Sequence, residues 1–456
     1  MEFALGSDPL DLQTLSKADD ALVLFYKEHF KKGNAADSKI GPELVGPGLS
    51  IVRACSEALF FSVLACFKAE IPAYKAVREN LHPCGECHFA SKSKLLLSVL
   101  MGGKTFGSQV KFARFYLIVD GHANPDVNIP LCFMKFLAAL RKSFAGIKGG
   151  EAVFKIGPEG AYFNAFTSIN ETFKQFEEAI AQSGANGAIR PASQAKSVSA
   201  PTEGESEAAK SKPVFKIGIN CDADTLFNKD PKDPNKYECE ANKVQQNSQQ
   251  MCDYYINMCK DHPLLEYIED PFAENDANGY RLLKTALHDQ YPHVQIGLLN
   301  AFKECKIEKV QQVTRPKSAE QLAEEEKQKE ALAQRPPTQE EKKKAPPAKG
   351  QPAETVVEQQ GPLYFLPHLV SLRTGSLVCL SQLMDFFKYI SSLGIENQFG
   401  LIFDDKIFED QQSDVESSGM DLAFGLGCEY FHVKGVCKPE RIAKVYAYAE
   451  MIRNGL

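Results

Sequence analysis

The sequence lacks several features that would assign it to a protein class at once. No apolar run reaches the roughly 18 residues that a membrane-spanning helix needs, so we expect no membrane partner. Positive charge is not in excess: the net charge is -7, which argues against a nucleic-acid partner. The first residues, MEFALGSDPLDLQ, contain no basic region and carry Asp8 and Asp11, so we expect no signal peptide.

The composition fits a large protein of a reducing compartment. Hydrophobic residues make up 44% of the 456 residues, which is enough for a substantial core in one large α/β domain or in two or three domains. The 13 cysteines are an odd number, and several, such as Cys55 and Cys379, lie in apolar surroundings. This pattern indicates buried thiols in the cytoplasm rather than a disulfide framework.

Strand-like apolar runs alternate with helical stretches along most of the chain. Alternation of this kind favours a parallel sheet, and seven or eight units favour a closed (β/α) barrel with its chemistry at the carboxyl ends of the strands. The predicted strands are 95–100, 115–119, 214–220, 264–269, 294–299, 364–370, 399–403 and the run EYFHVKG at 429–435. The predicted helices are 11–31, 50–69, 131–144, 165–182, 244–260, 276–288, 377–392 and 439–453.

Two low-complexity insertions interrupt this alternation. Residues 185–212 are rich in Ala, Ser, Gly and Lys, and at the centre of the second insertion, 306–360, Leu322 and Leu332 are the only large apolar residues of the stretch 315–350. Neither segment can bury enough apolar surface to offset the entropy of ordering it. We expect both to be disordered unless a partner orders them.

Three predicted strands end in acidic residues, namely Asp222, the pair Glu269 and Asp270, and the pair Asp404 and Asp405. Oxygen ligands at successive strand ends suit Mg²⁺. The intervening strand, HVQIGLLN, supplies no charge, and strand-end acids also cap the helices that follow. A metal site and a set of helix caps therefore both remain open as interpretations.

Two further motifs carry weaker signals. The run CGECH, 84–88, matches the spacing of c-type haem attachment, and a zinc site would need further ligands; we interpret it as a loop with reduced thiols. His432 and Lys434 alternate along a strand, which points both side chains to the same face. They could face a pocket or lie at the edge of the core.

Taken together, these motifs resemble the enolase family from about residue 11 to the C-terminus, outside the insertions. The matching runs are LEYIEDPF (265–272), the stretch DLAFGLGCEYFHVKGVCKPERIAKVYAYAEMIR (421–453), VLMGGKTFG (99–107) and IGPEGAYFN (156–164). The resemblance implies an enolase-type (β/α)8 TIM-like barrel. It places a truncated, mainly helical capping domain in residues 1–92 and the barrel in 93–456.

The resemblance also implies a Mg²⁺ site of three carboxylates. Glu269 matches one ligand, whereas Asn220 and Leu298 stand at the other two positions, and Asp222 lies two residues beyond Asn220. Leucine supplies no ligand to a hard cation. We therefore expect a vestigial metal site with no bound cofactor, and Mg²⁺ only if the protein is active.

The catalytic positions implied by the resemblance are also changed. The lysine base falls near Val370, the second lysine falls on His432 with Lys434 two residues later, and a catalytic glutamate falls on Arg114. Glu159 matches a retained glutamate. Glu159, His432 and Lys434 are thus the candidate catalytic remnants. The candidate substrate-binding residue is Lys406.

We therefore expect a catalytically inactive, enolase-like scaffold in a larger cytoskeletal assembly. Enolase-like proteins of similar divergence are associated with cilia and sperm flagella, so the resemblance implies a ciliary axoneme, such as its central apparatus. We expect protein partners, bound through 306–360, and no homodimer. The alternative is an active phosphopyruvate hydratase of glycolysis, a Mg²⁺-dependent lyase that converts 2-phosphoglycerate to phosphoenolpyruvate.

Overall fold

The computed structural model describes a closed barrel and the helices around it. The described residues are 74–75, 78, 93–147, 155–157, 159–187, 212–227, 236–239, 245–273, 276–302, 368–373, 400–404 and 418–456. Several predicted features lie outside them, namely the helices 11–31, 50–69 and 377–392, the CGECH motif, Lys406, most of 185–212 and all of 306–360.

The described part of the chain contains eleven strands, and each of the eight predicted strands corresponds to one of them. They are β1 Lys94–Met101, β2 Arg114–Val119, β3 Tyr162–Phe163, β4 Phe215–Asn220, β5 Tyr237–Glu238, β6 Gln245–Gln246, β7 Leu265–Glu269, β8 Gln295–Phe302, β9 Leu369–Arg373, β10 Gly400–Asp404 and β11 Tyr430–Val433. The predicted strand 364–370 overlaps β9, and its residues 364–367 lie outside the described part of the chain.

The main sheet closes on itself. Its strand order is β11-β10-β9-β8-β7-β4-β2-β1-β3, and β11 also pairs with β1, so eight strands form the expected α/β barrel. The sheet is not entirely parallel, because β2 runs antiparallel to both β1 and β4. A parallel pair needs a long crossover, usually a helix. Residues 102–113 contain only the 3₁₀ turn Lys104–Phe106, which cannot provide one.

Seven α-helices lie entirely within the described residues. They are α1 Ile129–Ala145, α2 Ile169–Ser183, α3 Ala223–Leu226, α4 Ser248–Asp261, α5 Ala277–Gln290, α6 Ser418–Gly425 and α7 Pro439–Arg453. Polar side chains cap three of the longer ones: Asn128 accepts a hydrogen bond in the first turn of α1, Ser168 does so in α2, and Asn247 forms a capping box in α4. None of the described helices combines the length and the apolar character needed to cross a membrane.

The barrel separates two apolar regions. The larger one lies between the outer faces of the strands and the helices, and Phe115, Phe136 and Phe173 belong to it. The smaller one fills the barrel interior with Leu96, Tyr116, Ile118, Tyr267, Leu369, Ile402 and Tyr430. Glycines make room for these rings, since a Cβ atom at Gly297 would overlap the ring of Tyr267. Among the described residues, side-chain volume therefore fills the barrel interior, as in other small barrels.

A charged network closes the amino-terminal end of the barrel. The ammonium group of Lys94 lies 2.8 Å from Glu266 Oε1, and Lys216 forms a second ion pair with the other oxygen of Glu266. Tyr430 donates a hydrogen bond to Glu266 over 2.8 Å. Burial favours the neutral form of Glu266, but the two lysines outweigh this effect and lower its pKa. Because this network occupies the amino-terminal end, we expect a functional site at the carboxyl-terminal rim.

Candidate functional site

Strand register brings the candidate residues into one row at the carboxyl-terminal rim. Arg114 lies opposite Asn220, Asn220 lies opposite Glu269, and Glu269 lies opposite Gly297. Because β2 runs antiparallel to its neighbours, its first residue stands beside their last residues. The row therefore combines a cation at the position implied for a catalytic glutamate, an amide at a position implied for a metal ligand, and the carboxylate that matches a metal ligand.

Protein donors surround the Glu269 carboxylate, which is 1% exposed. Tyr116 donates to Oε2 over 2.5 Å, Asn220 Nδ2 donates to the same oxygen over 2.5 Å, and Tyr267 donates to Oε1 over 2.8 Å. Burial, followed by the charge of Glu269, raises the pKa of Tyr116 and Tyr267 well above the ordinary value. Both phenols thus remain protonated donors, and the carboxylate is stabilised without an external ligand.

Arg114 and Glu159 form a two-pronged ion pair at the same rim. The Nε atom of Arg114 donates to Oε2 of Glu159 over 2.9 Å, and its Nη2 atom donates to Oε1 over 2.5 Å. Burial favours the neutral form of Glu159, but the guanidinium outweighs it and lowers the pKa. Arg441 also donates to the main-chain oxygen of Glu159 over 3.0 Å. Glu159 is therefore a charged acceptor, which is the wrong form for a general acid.

A second polar cluster joins β1, β10 and β11. Ser98 Oγ lies 2.8 Å from His432 Nε2, and His432 Nδ1 lies 3.3 Å from Asp404 Oδ1. The same Asp404 oxygen lies 3.4 Å from Lys434 Nζ. The structure thus brings His432 and Lys434 together through Asp404, which is 0% exposed. The cluster also includes the Ser98 hydroxyl, which is buried.

The remaining predicted metal residues do not join Glu269 in a ligand set. Asp222 follows β4 in the left-handed region, with φ 46°, and burial raises the pKa of its carboxyl although Arg114 acts in the opposite direction. Asp270 has the same φ, and its Oδ1 accepts a hydrogen bond from the main-chain nitrogen of Leu299 over 3.0 Å. Leu298 packs against the apolar core outside the barrel.

This arrangement does not fit Mg²⁺. Within the ranges that the structure describes, no group of three or more His, Cys, Asp or Glu side chains is placed to hold a metal ion. Mg²⁺ requires oxygen ligands in nearly octahedral geometry. Both oxygens of Glu269 already accept hydrogen bonds from the protein, and Asn220 directs a donor at one of them. No catalytic step through a metal follows from these residues.

Three residues that shape the site were not predicted from the sequence, namely Tyr116, Tyr267 and Ser98. Strand alternation carries part of the missing signal, because Tyr116 lies two residues after Arg114 and Tyr267 lies two residues before Glu269. Ser98 is the one hydroxyl residue in the strand KLLLSVLM. The partners of these side chains lie on distant strands, so the pattern indicates their direction but not their contacts.

Comparisons with known proteins identify relatives of the barrel. The family model "Enolase, C-terminal TIM barrel domain" matches residues 202–300. An enolase of Sulfurisphaera tokodaii is 27% identical over 201 residues, which covers 42% of this chain and 38% of that protein. Enolases of Metallosphaera sedula and Ehrlichia canis are each 24% identical over 192 residues.

The similarity is restricted to part of each protein. The matched region spans 38% of the Sulfurisphaera and Metallosphaera enolases and 37% of the Ehrlichia enolase. The family match begins before β4 and ends within β8, so it includes Asn220 and Glu269. It ends before β11, whose similarity to the family rests on the stretch 421–453 quoted from the sequence.

Proposed function

We propose that the chain is a divergent member of the enolase family that acts as a catalytically inactive scaffold. The observation that carries this proposal is the state of Glu269. Three protein donors occupy the carboxylate that would bind the metal, at distances of 2.5, 2.5 and 2.8 Å. An enolate intermediate needs cations to stabilise its charge. A carboxylate saturated by uncharged donors does not provide a place for them.

The proton-transfer groups support the same conclusion. The position implied for the base falls near Val370, whose side chain cannot accept a proton. His432 stands where the second lysine is implied, and its two ring nitrogens face Ser98 and Asp404. Groups of a catalytic unit do not act independently, so changes in the base and in the metal ligands together remove more than either change alone.

The proposed role is that of a structural subunit in a larger cytoskeletal assembly, such as the central apparatus of a ciliary axoneme. The support is the resemblance to divergent enolase-like proteins of cilia and flagella, which is an argument from analogy. Within this proposal, residues 306–360 bind protein partners. The protein then acts in the cytoplasm and cytoskeleton, without nucleic acid, membrane or a homodimer.

A turnover assay tests the loss of activity. The purified full chain is mixed with 2-phosphoglycerate and millimolar Mg²⁺, and the absorbance of phosphoenolpyruvate is followed beside an active enolase. We expect no turnover above that of a Glu269→Gln variant, because neither protein can stabilise the enolate. Turnover by the wild-type chain that the Glu269→Gln substitution abolishes would contradict the proposal.

Fractionation tests the scaffold role. Cells that build cilia are made to express the tagged full chain or a variant that lacks 306–360, and axonemes are isolated after detergent extraction. We expect the full chain to remain with the axonemes and the deletion variant to appear in the soluble fraction. Equal distribution of the two proteins would sink the assignment of partner binding to 306–360.

The second candidate is an active Mg²⁺-dependent phosphopyruvate hydratase with a remodelled site. One observation favours it: His432 Nδ1 and Lys434 Nζ lie 3.3 and 3.4 Å from the same oxygen of Asp404. Titratable groups so close together can exchange protons. If this reading is right, the turnover assay shows activity, and a Lys434→Met substitution reduces it.

A further inference from the structure

Arg114 brings a positive charge to the part of the rim where the resemblance implies a metal ion. It lies opposite Asn220, which lies opposite Glu269. Burial opposes the charge of Arg114, but the hydrogen-bonded carboxylate of Glu159 and the charge of Glu269 outweigh this effect, and its pKa lies well above the usual value. The same charge acts on Asp222 and favours its ionised form. One guanidinium therefore interacts with the carboxylates that were predicted to hold a metal.

We propose that the guanidinium of Arg114 is a built-in cation that replaces a divalent ion at the barrel rim and makes the fold independent of metal. The inference deepens the proposed function and rests on it, because a barrel that needs no ion suits a structural role. The two can fail separately. Turnover is measured with substrate, whereas metal dependence is measured by melting the protein without substrate.

The geometry of the replacement differs from that of an ion. A guanidinium is a planar fork that binds one carboxylate through two parallel hydrogen bonds, and Arg114 uses it on Glu159. The segment with Glu159 is also held by α7, since Arg441 donates to the Glu159 main-chain oxygen over 3.0 Å. The main-chain nitrogen of Cys437 donates to Gly160 over 2.9 Å. Arg114 thus ties this segment to the barrel as well as balancing its charge.

Asn220 completes the replacement. Its Nδ2 atom lies 2.5 Å from Glu269 Oε2. An aspartate at position 220 would instead place a second carboxylate next to that of Glu269. Two carboxylates at that distance cannot both stay ionised without a cation between them. The family pattern implies carboxylates at both 114 and 220. Compared with carboxylates at these two positions, a guanidinium at 114 and an amide at 220 make the rim more positive by at least the charge of a divalent ion.

The experiment compares melting midpoints with EDTA and with millimolar Mg²⁺, using the full chain. We expect the wild-type midpoints to coincide, because an ion that does not bind cannot stabilise the fold. The Asn220→Asp variant should melt at a lower temperature and respond weakly to Mg²⁺, since Arg114 still occupies the rim. The double variant Arg114→Gln, Asn220→Asp should melt lower still in EDTA and regain several degrees when Mg²⁺ is added.

A matched control separates this effect from a general loss of charge. Lys216→Gln removes a cation from the buried network at the opposite end of the barrel, so its midpoint should fall without any response to Mg²⁺. A Mg²⁺-induced rise in the wild-type midpoint would overturn the proposal. So would a response of Asn220→Asp as large as that of the double variant, or no response of the double variant. If a variant does not fold, calorimetric titration of wild-type protein with Mg²⁺ still decides, since measurable binding at the rim refutes the inference.

Discussion

Replacing Glu266 by glutamine is a direct test of the charged network at the amino-terminal end of the barrel. The side chain of Glu266 is 7% exposed, and the two lysines that it pairs with, Lys94 and Lys216, are each 15% exposed. Glutamine keeps the shape of the side chain and its ability to bond with Tyr430. The substitution therefore removes the negative charge while it leaves the packing nearly unchanged.

The expected loss follows from burial. Removal of one partner of a buried ion pair costs roughly 3–5 kcal/mol, because the other partner is left buried without compensation. Here Asp120 lies 3.8 Å from Lys94 Nζ and 3.7 Å from Lys216 Nζ, so part of the compensation survives. We therefore expect Glu266→Gln to lower the free energy of unfolding by about 3 kcal/mol, the lower end of that range.

The pH dependence provides a second readout with a definite sign. The two lysines hold the pKa of Glu266 below its ordinary value of 4.5. Its contribution to stability is therefore complete above pH 4.5 and is lost as the pH falls through the lower, folded-state pKa. Glutamine does not titrate, so the difference between wild type and variant should shrink in acid. Urea unfolding at neutral pH and at a series of acidic pH values measures both quantities.

Two results would refute this reasoning. One is a difference at neutral pH of less than about 0.5 kcal/mol, which is typical of a surface substitution. The other is a difference that stays constant as the pH falls through the titration of Glu266. The matched control is Glu450→Gln, because Glu450 is exposed on α7 and its substitution should leave the free energy of unfolding unchanged within about 0.5 kcal/mol.

Three further substitutions test the packing and hydrogen bonding of the barrel. Gly297→Ala should lower the free energy of unfolding by roughly 1–3 kcal/mol, because the new methyl group overlaps Tyr267; no loss in urea unfolding would contradict that packing. Tyr116→Phe removes one of three donors from Glu269 and should cost about 1–2 kcal/mol, and an unchanged unfolding midpoint would argue against the bond. Asn128→Ala removes the cap of α1 and should cost about 1 kcal/mol, whereas Asn128→Ser should restore most of it; equal stability of the two variants would exclude a capping role.

Much of the fold was predictable because it depends on local patterns. Apolar runs indicated all eight barrel strands, and helix α7 was predicted with the bounds that the structure has, 439–453. The direction of β2 was not predicted. Strand direction depends on the connection, and the sequence of 102–113 does not show by its apolar pattern that the chain turns back rather than crossing over.

The candidate site was also predictable only in part. Alternation indicated that His432 and Lys434 share a face, and both lie beside Asp404. The pairing of Arg114 with Glu159 could not be inferred, because the two residues lie 45 positions apart in the sequence. Where an expected carboxylate is absent, the sequence predicts that the metal site is lost. It does not predict which side chain takes over the charge.

The sequence by itself determined the eight barrel strands, five of the seven described helices, the identity of each residue at the strand ends, and the resemblance to the enolase family. These follow from apolar periodicity and from short motifs, which are properties of neighbouring residues. The tertiary structure alone decided which groups compensate each charge. Tyr116 reaches Glu269 from a strand 153 residues away, and Asn220 reaches it from 49 residues away. Hydrogen bonds and ion pairs act over a few ångströms in space, so only the closed barrel distinguishes a carboxylate free to bind metal from one already occupied by protein donors.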